Sequence, residues 1–102
     1  METKYNNVVV DNKAVLSDIQ RLINQIWKLI PMRENNENWK VQIEGVIIEL
    51  IGLREIFPKD LDFLIILSKL EGLLSYESTF FKYRTEVFTI ISMMGELKNG
   101  IK

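Results

Sequence analysis

The stretch Val46–Phe57, VIIELIGLREIF, constrains the fold more than any other part of the chain. Apolar residues at Val46, Ile47, Ile48, Leu50, Ile51, Leu53, Ile56 and Phe57 would cover well over half the circumference of a helix. The polar remainder is a thin stripe, Gln42, Gly45, Glu49 and Gly52, recurring at steps of three and four. A helix this apolar has to be covered on several sides, so it reads as the central helix of a small all-helical domain.

The flanking sequence supplies partners of the same kind. From Ala14, Val15, Ile19, Leu22, Ile26 and Leu29 form an apolar row, and Ser17, Asp18, Arg21, Asn24 and Lys28 take the other side. That spacing predicts an amphipathic helix over residues 14–30, capped by Asp11 or Asn12 and ended by Pro31, since the residue before proline is pushed out of the α region. Met32–Asn38, MRENNEN, is the most polar part of the chain and reads as the first loop. Asn38 is placed to cap the helix over 39–56, and Pro58 to break it, with Asp60 offering a cap for a third helix over 60–74. Ser75 or Ser78 would cap a last helix over 78–98, closed by Asn99-Gly100.

Helices over 39–56 and 60–74 both have thin polar faces, so they are expected to form the buried pair of the domain, covered by the first and last helices. Residues 14–102 therefore read as one all-α four-helix bundle, up-and-down or irregular. Residues 1–13 precede it as a short arm. Val8, Val9 and Val10 favour extended backbone there, and the arm is expected to lie loose.

With 102 residues there is room for one core, and 47% hydrophobic with 26% charged residues is ordinary globular composition. The formal net charge of −1 provides no long-range attraction for nucleic acid or anionic membrane. The opening residues lack an export pattern and no apolar run approaches the length of a membrane span, which reads, with the absence of cysteine, as a cytoplasmic protein.

Catalytic equipment is sparse. Without histidine and cysteine the chain has neither the usual general base near neutral pH nor the commonest zinc ligands. Ser68 and Lys69 are adjacent on a helix and point about 100° apart, so they do not form a nucleophile and base. The glycines are scattered singletons rather than a phosphate loop. The expectation is no enzyme, no metal and no cofactor.

Contact with another protein, or with a second copy, is the function class that remains. The chain reads as a small regulator, adaptor, inhibitor or structural subunit. Gly45 and Gly52 stack on one side of a helix with Glu49 between them, and each costs about 0.5–1 kcal/mol relative to alanine unless another backbone approaches there. Trp27 and Trp39 flank the first loop, which carries Arg33, and aromatics at such a position either close the core or anchor a partner. Gly45, Glu49, Gly52, Trp27, Trp39 and Arg33 are therefore the candidate partner-binding residues. A competing reading takes residues 61–98 as a degenerate helix-turn-helix: Ser68, Gly72, Leu73 and Phe81 match its spacing, but the first turn of the would-be recognition helix offers Glu77, Ser78 and Thr79 in place of cations.

Overall fold

A computed structural model of the chain describes residues 2–5, 8–58, 60–75 and 79–101. Five helices follow a strand pair: β1 (Glu2–Tyr5), β2 (Val8–Asp11), α1 (Asn12–Trp27), α2 (Leu29–Glu34), α3 (Trp39–Ile56), α4 (Leu61–Ser75) and α5 (Phe80–Gly100). The four long helices, α1, α3, α4 and α5, form the expected all-α bundle, with principal extents of 44 × 21 × 20 Å.

The bundle is a ring in which α1 packs on α3, α3 on α4, α4 on α5, and α5 back on α1. Neighbours run antiparallel, because residue numbers rise on one helix as they fall on the next. Arg21 meets Glu49 while Gln25 meets Gln42 on α1 and α3, and Gln20 meets Lys98 while Trp27 meets Phe88 on α1 and α5. The core runs down the axis as one row from each helix: Ile19, Leu22 and Ile26; Ile43, Val46 and Leu50; Phe63, Ile66 and Leu70; Val87, Ile90 and Met94. Each row keeps the three- and four-residue spacing of one helical face, so burial follows directly from the apolar periodicity.

This arrangement corrects one expectation. The pair α3 and α4 is not buried between the other two helices. In a ring of four, every helix keeps one side toward solvent, so the surplus apolar residues of α3 and α4 face outward.

The ends of the elements carry further corrections. In place of the expected loose arm, β1 and β2 pair antiparallel, Glu2 opposite Asp11 and Tyr5 opposite Val8, and α1 begins at Asn12 rather than Ala14. Consecutive valines favour extended backbone, and a strand close by in sequence satisfies its amide groups. Pro31 does not end the first helix but lies in the first turn of α2, where a missing N–H leaves no gap in that helix's own ladder. Its cost falls one turn earlier: no N–H at position 31 can bond the Trp27 carbonyl, and the helix breaks at Lys28 while that residue keeps φ −68° and ψ −18°.

The polar loop is shorter than its composition implies. Helix α2 runs to Glu34 and closes with Asn36 in the left-handed region at φ 57°. The Glu37 amide donates to the Met32 carbonyl at 2.7 Å and the Asn36 amide to Arg33 at 3.1 Å, the paired closure that a left-handed residue after a helix permits. Asn38 occupies the cap position of α3, yet its side chain makes no capping bond. Asp60 does cap α4, accepting from the Asp62 amide at 3.0 Å.

For α5 the cap is Thr79, whose Oγ1 accepts from the Lys82 amide at 3.3 Å. Ser75 instead ends α4, and Ser78 lies outside the described residues. Helix α5 continues through Asn99 and Gly100 without a left-handed glycine, because Ile101 turns extended only after it. No helix among the described residues is long and apolar enough to cross a membrane.

Candidate interaction surface

On α3 the expected polar stripe divides into two parts. Gln42 and Glu49 turn toward α1: the Gln42 amide donates to the Gln25 carbonyl at 3.3 Å, and Arg21 Nη1 reaches both Glu49 oxygens at 3.0 and 2.9 Å. The hydrogen bond to Glu49, then its charge, raises the Arg21 pKa further above its ordinary value, so the guanidinium that joins α1 to this side of α3 stays charged. Asp18 adds a third member at 3.5 Å.

Gly45 and Gly52 face open space. A methyl group added at either would meet nothing within 4 Å, so among the described residues no backbone approaches them. They alternate with two exposed aliphatic residues: Val41, Gly45, Ile48 and Gly52 recur at steps of four, three and four, a straight line along the outside of α3. Val41 is 65% exposed and Ile48 70%. Ile51 widens the line, and on adjacent α4 Leu61, Leu64 and Ile65 also face outward, Leu61 at 68%.

Six aliphatic side chains from two neighbouring helices thus lie on the outside of the bundle. Monomers rarely expose contiguous apolar patches beyond a few hundred Å² without a use for them. Sequence reasoning placed Ile48, Ile51, Leu61, Leu64 and Ile65 within the buried pair of helices, since each extended an already apolar helix, and assigned Val41 to neither side. The signal that separates them is their offset from the buried row Ile43, Val46, Leu50 and Leu53: Val41 and Ile48 lie on the opposite side of the same helix.

The tryptophans are placed differently from each other. Trp39, half-buried, meets Tyr83 edge-on with centroids 5.2 Å apart, and the Arg33 guanidinium lies over both rings, 5.2 Å from Trp39 and 4.5 Å from Tyr83. Tyr83 is 1% exposed and donates its hydroxyl to the Leu29 carbonyl at 3.3 Å. Burial pushes its pKa up to about 12, partly offset by the Arg33 charge. Arg33, Trp39 and Tyr83 therefore close the bundle end beneath the α2–α3 loop. Trp27 is 46% exposed on the α1–α5 side, edge-on to Phe88 at 5.4 Å, with Arg84 over the far ring at 4.9 Å.

Of the candidate residues, then, Gly45 and Gly52 lie on the open α3 face and Glu49 on its border with α1. Arg33 and Trp39 sit together at one end of the bundle, and Trp27 lies on a separate side. A shallow groove of about 500 Å³ along α1 is walled by Lys13, Gln20, Arg21, Asn24 and Lys98. Its Lys98 already donates to Gln20 at 2.6 Å, and Arg21 is engaged by Glu49. The chain matches no protein-family model, no curated protein and no solved structure.

Proposed function

We propose that this chain acts by contact, as a small helical protein–protein interaction module, and that the outward face of α3 and α4 is its docking surface. One observation carries the reading: Val41, Ile48, Ile51, Leu61, Leu64 and Ile65 are between 42% and 70% exposed on adjacent helices. Together they leave uncovered the equivalent of about three aliphatic side chains, on the order of 5–10 kcal/mol of hydrophobic free energy if fully covered. Part of that would be spent on the entropy of association, which leaves an amount consistent with a specific complex.

The open glycines support the same reading, because a helix backbone can approach α3 closely at Gly45 and Gly52. The module would serve as a regulator, adaptor, inhibitor or structural subunit. Its lack of cysteine is in keeping with a reducing compartment, and a cytoplasmic location is part of the proposal.

The test is Ile48→Glu. The side chain is exposed, so the bundle should keep its stability to within about 0.5 kcal/mol. Proteins retained from native lysate by the wild-type chain should be lost from the variant. Retention of the same set by both would overturn the proposal.

A further inference from the structure

We infer that the occupant of the α3–α4 face is a second copy of this chain, packed face to face about a two-fold axis with α3 antiparallel to α3 and α4 antiparallel to α4. This rests on the reading of that face as a docking surface, and it names the partner.

The width of the face sets the kind of occupant. Val41 and Ile48 are exposed on the outside of α3, Leu61 and Ile65 on the outside of α4, so the apolar surface is two helices wide. A single helix is about 10–12 Å across and would leave one of the two uncovered. Another two-helix face matches it. Helices of 18 and 15 residues side by side, about 25 Å long and 20 Å wide, present on the order of 500 Å² in projection. Accessible surface exceeds projection, which brings each copy toward the ~800 Å² that a standard interface takes from each partner.

The order of residues along both helices suits a two-fold axis. When two copies of a helix pair antiparallel about such an axis, residues equally far before and after it face each other. On α4 the outward line is Leu61, Ile65, Ser68 and Gly72, large residues first and small ones after. An axis between Ile66 and Leu67 sets Leu61 against Gly72 of the second copy and Ile65 against Ser68, each large side chain over a small one. A methyl group added at Gly72 would meet nothing within 4 Å, so that site has room for the incoming leucine. On α3 an axis at Ile48 sets Gly45 near Gly52 of the second copy, where the two backbones can approach closely. Measured from the connection between the helices, Ile48 is eight residues before the end of α3 and the α4 axis five to six after its start. The difference is under one helical turn, so one axis serves both pairs.

Charge gives the direction. Lys40 and Glu55, at opposite ends of the α3 line, are both exposed, eight residues before and seven after Ile48. Antiparallel pairing brings Lys40 beside Glu55 of the second copy, twice per dimer, whereas parallel pairing would set lysine on lysine and glutamate on glutamate. Within one chain the Lys40 ammonium rests 5.4 Å from the Trp39 ring, and Glu44 lies one turn along the same helix. Glu49 and Lys69 are drawn to the outer edges by Arg21 of α1 and Glu86 of α5.

Sedimentation equilibrium of the full chain at ~1–200 µM tests this. The wild type should be a dimer, and Ile48→Glu, equally helical by circular dichroism, a monomer. Lys40→Glu and Glu55→Lys should each weaken the dimer at least about tenfold, since each substitution acts at two symmetric places. Mixing these two single variants restores both opposite-charge contacts in a heterodimer, which should form within about threefold of the wild-type affinity.

A wild-type monomer throughout this range would overturn the inference. The docking surface then stands if Ile48→Glu still abolishes capture of another protein from lysate, and fails with it if capture is unchanged. A dimer that Ile48→Glu leaves intact lies on another face and overturns the inference. So does a dimer lost in Ile48→Glu but indifferent to the charge variants and their mixture, which would exclude the antiparallel arrangement.

Discussion

Replacing both Gly45 and Gly52 by alanine should make the bundle more stable. Glycine in the middle of a helix costs about 0.5–1 kcal/mol relative to alanine, through the backbone freedom it retains in the unfolded chain. That gain is cancelled wherever the new methyl collides with a neighbour, and at both positions the methyl would meet nothing within 4 Å. The two sites are seven residues apart, about 10 Å along the helix, and share no partner, so their effects should add to about 1–2 kcal/mol. For a domain of this size the melting temperature should rise by roughly 5–15 °C. Urea unfolding followed by circular dichroism measures this directly, with an unchanged m-value as the sign that only stability has moved. The same double variant should bind an amphipathic helical peptide with a leucine and isoleucine stripe more weakly, because two methyl groups hold the incoming backbone away from α3. A fall in stability would show that the stripe is packed against its own chain. A rise in stability with undiminished binding would remove the glycines from the docking argument.

Two further substitutions test the packing. The folded state holds the Tyr83 proton up to about pH 12, whereas the unfolded chain releases it near pH 10. Across that window the folded form binds the extra proton, so stability is fully present below pH 10 and falls as pH rises, by on the order of 2–3 kcal/mol. Tyr83→Phe should lose that component and cost about 0.5–1.5 kcal/mol at neutral pH, read from urea midpoints of variant and wild type at matched pH. Equal alkaline losses in the two proteins would contradict the assignment. At Asn36, φ 57° makes alanine unfavourable by about 1 kcal/mol and glycine neutral or stabilising. Thermal melts that rank alanine at or above glycine would contradict the left-handed closure of α2.

Much of the fold was legible because the apolar spacing leaves little choice. The limits of α3 follow from the polar loop before Trp39 and the proline after Phe57, and the α4 cap from Asp60 one residue ahead of an apolar run. The errors came where local chemistry has two outcomes. Pro31 disrupts a helix at its interior yet fits a first turn, and only the position of the break at Lys28 decides which applies. Gly100 can end a helix through a left-handed turn or continue in it, and here it continues. The exposed α3–α4 face was half legible. Gly45 and Gly52 stood out as helical glycines with a cost to explain, but Ile48 and Leu61 were indistinguishable from core in composition. Their exposure depends on how four helices share one axis, which is a property of the ring and not of either helix alone.

The most direct test of the proposed docking surface is residue-resolved: amide chemical shifts of the labelled protein during titration with an amphipathic helical peptide that carries a leucine and isoleucine stripe. The account predicts perturbations along Val41, Gly45, Ile48 and Gly52 of α3 and Leu61 and Ile65 of α4, with Trp27 and Phe88 on the α1–α5 side unaffected. Perturbations centred on Trp27 and Phe88, or none at saturating peptide, would contradict it.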